Sequence, residues 1–293
     1  MDNLADRYHR NELLFGKEGQ RKLGATSTVI LGAGGLGSAL APHLALLGVR
    51  KITTVDDEEL DTTNRNRFFG ARDTDPVPGS AKVMIVDRLI RETNSQVESI
   101  PVLAHLVTAD AFEAVRNADW IFGCFDEDGP RSILNELCAA YAKPYIDVAS
   151  DVPTPGVYGG RVCVATGGGC LHCLGQLDPR DVRRFLEPEQ QLEVEDRIYG
   201  VPKGALGEKG PSVAPINGVV ASLAAAEFMA AVTGMRPSVR LLEYRGQEAK
   251  VLVSRDEPQE GCLVCKSNWG KGAAVDVERY LRIGHLAQRR HRP

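Results

Sequence analysis

A chain of 293 residues, 43% hydrophobic and 25% charged, can bury a full core, and a net charge of −4 excludes a nucleic-acid binder held by bulk positive charge. Its longest apolar stretch is broken by polar residues, and its charged start is unlike a secretory leader, so a cytoplasmic protein with no membrane partner is expected. Seven cysteines without an export signal point away from a disulfide framework.

Residues 5–16 read as a short helix outside the main unit, with Arg7 and Arg10 one turn apart on one face. A β-branched apolar run, Ser27–Leu31, predicts a buried strand, and the chain then changes abruptly to glycine. Gly32, Gly34 and Gly37, with Gly35 among them, form G-x-G-x-x-G ahead of a helix over 35–47. Such glycines let the backbone turn tightly and let a phosphate approach the first amides of the helix. A second strand, 51–55, ends on Asp56, about 20 residues after Gly37, where a carboxylate can accept from ribose hydroxyls. Strand, turn, helix, strand and acid together describe a nucleotide site.

An irregular polar stretch, 57–79, has a length that in a compact domain goes with function. A helix over 80–92 is expected to turn Val83, Met84, Val86 and Ile90 inward. Strands at 97–102, 119–124 and 144–149 alternate with helices at 109–116 and 130–141. This alternation predicts an α/β fold: a doubly wound, Rossmann-like, mainly parallel sheet with its ligand beyond the carboxyl ends of the strands. After residue 150 the pattern changes to a glycine-rich strand, 156–165, and a charged crossover or lid without clear period, 178–211. An alanine-rich helix follows at 215–233, interrupted by Asn217, Ser222 and Glu227, which argues against a membrane span. Two strands, 239–244 and 250–254, complete a C-terminal antiparallel extension, and the basic end from Arg279 reads as a solvated tail.

Cys170-Leu-His-Cys173 and Cys262-Leu-Val-Cys265 make two C-x-x-C units. Four thiolates in two such pairs predict a tetrahedral structural zinc site, with His172 left out. Around the expected crevice stand Asp56, Asn64, Asn66, Arg67, Lys82 and Asp126. Each has a bland alternative: Arg67 and Lys82 as solvated charges, Asp126 as a helix cap. An NAD-dependent oxidoreductase would use Asp56 and leave the cations and Asp126 idle. A reaction on ATP would use them all, the cations against the phosphates and a carboxylate holding magnesium.

These pieces together resemble the ThiF/MoeB family of ubiquitin-activating-type adenylyltransferases. The matches are Arg7-Tyr8-His9-Arg10, Gly32-Ala33-Gly34-Gly35-Leu36-Gly37-Ser38, Asp56 with Asn64-Arg65-Asn66-Arg67, Lys82, Cys124-Phe125-Asp126, both cysteine pairs and Ala214-Pro215. The resemblance implies one adenylation domain over 1–293: a nucleotide-binding half, 1–150, a substrate, crossover and zinc-containing half, 151–265, and a tail, 266–293. It implies ATP-dependent adenylation of the C-terminal carboxylate of a ubiquitin-like or sulfur-carrier protein, giving an acyl-adenylate and pyrophosphate. By position Asp56 would hold the ribose, Asn64, Arg67 and Lys82 the phosphates, and Asp126 the magnesium. Arg10 would arrive from the other subunit of a homodimer. Many members carry a crossover cysteine that takes the acyl group as a thioester; here that place is Gly207, and no cysteine lies between Cys173 and Cys262. Cys138 and Cys163 read as core thiols, and Cys124 is expected to be held protonated by neighbouring Asp126. No stable thioester on this chain is therefore expected. Adenylation of a short peptide, as in antibiotic-type biosynthesis, and a partner-binding inactive relative are the competing readings.

Overall fold

The computed structural model describes residues 7–188 and 211–289. Eight strands form one sheet in the order β3-β2-β1-β4-β5-β6-β7-β8. They are β1 (Ser27–Leu31), β2 (Lys51–Asp56), β3 (Glu98–Leu103), β4 (Trp120–Gly123), β5 (Tyr145–Thr154), β6 (Val157–Ala165), β7 (Leu241–Arg245) and β8 (Lys250–Val253). The pairs from β3 to β5 are parallel and those from β5 to β8 antiparallel. Helices α1 (His9–Ala25), α2 (Gly35–Leu47), α3 (Lys82–Thr93), α4 (Ala109–Asn117) and α5 (Asp128–Ala140) fall within the first half. The second half holds α6 (Pro179–Leu186), α7 (Ala214–Thr233), α8 (Arg279–Arg282) and α9 (Gly284–Arg289).

β1 is buried at all five positions, as a continuous β-branched run in a two-sided sheet must be. One face packs on α2, α3 and α7 through residues such as Leu40, Val86 and Phe228. The other packs on α4, α5 and the cysteine pairs through Phe112, Leu134 and Leu171. The chain leaves β1 towards β2 on one side and returns to β4 on the other, which opens a crevice at the carboxyl ends of β1 and β4.

Several expectations are corrected. Met84 is 54% exposed and Ile85 takes its inward place, because the apolar face of α3 runs through Val83, Ile85, Val86 and Ile90. α1 continues to Ala25 across a kink at Gly16, whose φ of 75° no helix can hold. Within the crossover, read as lacking a period, α6 forms with Asp178 as its N-cap, the carboxylate accepting from the Arg180 amide, and proline at the first helical position. Of its residues only Phe185 is buried, so no apolar stripe marks it. α7 is long and apolar enough to cross a membrane by composition, but half of it is buried here. It carries Asn217 and Glu227 inside, with Glu227 paired to Arg236 at 2.5 Å. It is a core helix.

Candidate active site and metal centre

Gly32 follows β1 with φ at 93°, and a Cβ there would lie 2.7 Å from the Cys124 carbonyl oxygen. At Gly37 a Cβ would stand 2.0 Å from the Gly32 carbonyl oxygen. Only glycine permits both contacts, and they bring the start of α2 tightly under the end of β1. Gly34 caps α2 with no side-chain acceptor, and no acidic residue lies in the first turn. The helix N-terminus therefore offers amides and a positive dipole end to an anion.

Asp56 closes β2 beside this turn. Its Oδ2 accepts from the Ala33 amide at 2.7 Å and its Oδ1 from the Glu58 amide at 2.8 Å. Burial pushes its carboxyl up to about 6, against the pull of the nearby Lys82 ammonium. Lys82, first residue of α3, is only 5% exposed. Its amide donates to the Glu58 carbonyl at 3.0 Å and its Nζ meets the Glu58 carboxylate. A short bridge between Glu59 and Ala81 adds to this staple. The irregular stretch after β2 is thus sewn to the head of α3, which sets Lys82 next to Asp56.

Arg67 packs its methylenes about the α2 start, where a Cβ on Gly35 would meet Arg67 Cδ at 3.4 Å. Its Nη1 donates to the Thr63 carbonyl at 2.6 Å and to Asn66 Oδ1 at 3.1 Å. Asn64 serves a local turn here: its Oδ1 accepts from the Asp61 amide at 3.3 Å, half of a capping box. Asn66 Nδ2 donates to the Ser212 carbonyl at 3.1 Å, and buried Asn217 donates to Ser212 Oγ at 3.1 Å. A Cβ on Gly35 would also meet Asn217 Nδ2 at 2.3 Å. Asn217 is a site neighbour that its sequence context, an alanine-rich helix, did not mark. Asp126 is exposed in the turn leaving β4, and the backbone of that turn touches Gly32. The glycine turn, Asp56, Lys82 and Arg67 surround one crevice, with the Asp126 turn against its floor.

Arg10 is exposed, two residues beyond Tyr8. Tyr8 packs on Gly48, where a Cβ would lie 2.5 Å from the ring, and its hydroxyl accepts from Asn94 at 2.8 Å. Gly48 ends α2, so the 13-residue helix separates this corner from its own glycine turn by about 20 Å at ~1.5 Å rise per residue.

The four paired cysteines converge. Their sulfurs all lie within 4.8 Å of one another and all four residues are buried. Cys170 Sγ is 3.8 Å from Cys262 Sγ, and Cys173 Sγ is 3.7 Å from Cys265 Sγ. A zinc tetrahedron with ~2.3 Å zinc–sulfur bonds has edges of about 3.8 Å, which these two pairs match, and the other separations stay within 4.8 Å. Burial pushes the Cys170 thiol up to about 11, and a cation among four sulfurs this close would offset the repulsion between their thiolates. The other thiols are closed off. Burial, followed by the Asp147 charge, raises Cys124 and Cys163, and burial raises Cys138. For Cys124 this corrects the cause: Asp147, and not the adjoining Asp126, is the carboxylate that acts on it. Gly207 lies outside the described residues.

A protein-family model described as the ThiF family matches residues 8–264. The chain belongs to the ThiF family. The adenylyltransferase and sulfurtransferase MOCS3 of Aedes aegypti is 28% identical over 287 residues, covering 96% of this chain and 60% of that protein. Its counterpart in Sus scrofa is 28% identical, and the chain spans 52% of its length. Protein HesA of Leptolyngbya boryana is 28% identical over 94% of this chain and 92% of its own. Among solved structures, Escherichia coli MccB with ATP superposes with a TM-score of 0.68 at 21% identity, over 89% of this chain and 74% of that one. MccB, the microcin C7 biosynthetic enzyme, with N-formylated MccA gives 0.70 at 21% identity, over 90% and 76%. The fold described above is shared with both MccB structures.

Proposed function

We propose that this ThiF-family chain uses ATP and magnesium to adenylate the C-terminal carboxylate of a ubiquitin-like or sulfur-carrier protein. A carboxylate oxygen attacks the α-phosphorus, the bond to the bridging oxygen of the β-phosphate breaks, and pyrophosphate leaves. The observation that carries the reading is the convergence of Lys82 and Arg67 on the glycine turn beside Asp56. In this reading Asp56 orients the ribose, the α2 amides with Arg67 and Lys82 neutralise charge growing on the phosphates, and Asp126 holds magnesium. Zinc bound by Cys170, Cys173, Cys262 and Cys265 supplies structure alone, since all four positions of its shell are taken. The buried state of Cys124, Cys138 and Cys163 supports direct hand-over of the adenylate to an acceptor without a thioester on this chain.

A homodimer completes the site. Arg10 lies a helix length from its own crevice, and the same corner exposes Leu13, Leu14 and Leu46, apolar side chains that a two-fold partner would cover. Arg10 then serves the partner's phosphates.

The test is to incubate the protein with magnesium, ATP and a small carrier protein ending in Gly-Gly, and to weigh the products. A carrier heavier by one adenylate, with stoichiometric pyrophosphate, is expected. A short peptide adenylated where no carrier is would replace the substrate class, and tight NAD binding without ATP binding would overturn the reading.

A further inference from the structure

α5 hides two polar side chains one turn apart, Arg131 and Asn135, on its buried face. Asn135 Oδ1 accepts from the Leu171 amide at 3.2 Å, beside the cysteine cluster. Arg131 is directed to the turn that precedes the helix: Nε donates to the Phe125 carbonyl at 3.1 Å and Nη2 donates to the same oxygen. Phe125 is the residue before Asp126. Glu127, the N-cap of α5, makes no side-chain cap, and the guanidinium braces the turn from inside through the Phe125 carbonyl.

A buried guanidinium requires a counter-charge, and the sheet supplies one. Asp147 Oδ2, from β5, lies 3.6 Å from Arg131 Nη1, while Asp128 Oδ1 lies 3.7 Å away, one turn back on α5. Asp147 is 0% exposed. Its Oδ1 accepts from the Tyr145 hydroxyl at 2.8 Å, and its Oδ2 is 3.9 Å from Arg161 Nη2. That second oxygen has no hydrogen bond among the described residues and is held by charge alone. In register Asp147 stands between Gly123 of β4 and Cys163 of β6, in the middle of the sheet. A carboxylate there is costly unless its charge is used, and the adenylation chemistry does not use it.

We propose that Asp147 is a positioning residue: its charge keeps Arg131 on the Phe125 carbonyl and so sets the turn that presents Asp126 to magnesium. This rests on Asp126 being the magnesium ligand. Two features of the geometry carry it. Arg131 reaches one acceptor with two donors, which needs the fork of a guanidinium held in one orientation. And Asp147, bonded by Tyr145 within a strand, is the more deeply buried of its two counter-ions, Asp128 lying in the first turn of α5 with its Oδ2 accepting from the Asp178 amide at 2.7 Å.

The experiment compares wild type with Asp126→Ala, Asp147→Asn and Arg131→Lys, using α,β-methylene-ATP as the probe so that no acyl substrate is needed. The magnesium concentration giving half of the metal-dependent tightening of analogue binding is measured by calorimetry. Hydrogen exchange of the peptide over residues 124–128 is measured alongside. Asp147→Asn keeps the size of the side chain and an acceptor for Tyr145, while it removes the charge and puts an amide nitrogen in place of the oxygen that faces the guanidiniums. The expected result is a rise of roughly 10-fold in the magnesium requirement, the lower end of the loss seen on removing a residue that orients a metal ligand. Faster exchange over 124–128, unchanged zinc content and analogue binding without magnesium as in wild type accompany it. Arg131→Lys gives the same two shifts, and decides the matter by them should Asp147→Asn fail to fold. If Asp126→Ala leaves the magnesium requirement at its wild-type value, the magnesium ligand is misassigned and the positioning role falls with it. If Asp126→Ala raises it and the other variants move neither readout, Asp147 alone is misassigned.

Discussion

Lys82 Nζ rests on the Glu58 carboxylate at the mouth of the nucleotide crevice, so the cation assigned to the phosphates is held by a carboxylate two residues past Asp56. Glu58 is well exposed, and its charge is cheaply resolvated when Lys82 turns to a ligand. Glu58→Gln should therefore strengthen ATP binding a few-fold, whereas Lys82→Ala should cost about 100-fold in turnover, the scale of losing one oriented charge at a transition state. A lowered melting temperature is expected for Glu58→Gln, which takes the paired carboxylate away from a Lys82 ammonium that is only 5% exposed. Calorimetry and steady-state rates on the two variants check it.

Asp56 predicts a pH dependence with a definite sign. Its carboxyl is pushed up to about 6 from an ordinary 3.8, so between these values the folded chain holds a proton that the unfolded chain has released. Its contribution to stability therefore falls as pH rises through that window. Ribose binding runs the other way, since the acceptor is the ionised carboxylate. Adenosine, which carries no titrating phosphate, should bind more tightly as pH is raised to about 6 and level off above it. Asp56→Asn should bind weakly and without that rise; an unchanged pH profile in the variant would remove Asp56 from the ribose.

One zinc per chain is the expected elemental content of protein purified without chelator. Stripping it should free the segment after Cys265, whose Gly270 amide donates to the Ala139 carbonyl at 2.9 Å and whose Arg279 pairs with Glu136 at 2.5 Å. Faster hydrogen exchange there, with the β1 to β4 sheet unaffected, is the outcome expected. Less than half an equivalent of metal, with four titratable thiols, would contradict the site.

The parallel half was legible because its signals are local. A β-branched run, the glycine spacing and an acid at a strand end each sit within one element, and β1, α2 and β2 fall where their patterns place them. The cysteine pairs were legible by spacing, since thiolates in two C-x-x-C units have few other uses. Arg131 and Asp147 were not. They meet across a helix and a strand, and nothing in the sequence around either distinguishes a buried ion pair from a surface charge. Asn64 shows the opposite limit: a motif position marks it for phosphate, while in this structure its oxygen closes a turn.

The glycine turn separates packing from ligand approach. A Cβ on Gly37 would overlap the Gly32 carbonyl at 2.0 Å, whereas one on Gly34 meets nothing within 4 Å. Gly37→Ala should destabilise the fold by roughly 3 kcal/mol, the cost of overpacking where backbone cannot yield, and Gly34→Ala should melt as wild type. Thermal unfolding of the pair checks this. Equal melting temperatures would show that the turn yields to a methyl group at Gly37.

Arg10 acting across a dimer predicts complementation. Arg10→Ala and Asp126→Ala should each be nearly inactive, and co-expression should restore roughly a quarter of wild-type activity, because half of randomly paired dimers are mixed and one of their two sites is whole. No recovery from a preparation shown to contain mixed dimers would return Arg10 to its own chain or remove it from the site.

If the crevice around Asp56, Arg67 and Lys82 adenylates a carboxylate, the protein exchanges labelled pyrophosphate into ATP. The assay contains magnesium and a carrier protein ending in Gly-Gly. Exchange should require both additions and fall by about 100-fold or more in Arg67→Ala and Asp126→Ala, the loss expected for charge-stabilising groups at a phosphoryl centre. Exchange that persists undiminished in both variants, or a protein that binds NAD tightly and ATP not at all, would contradict it.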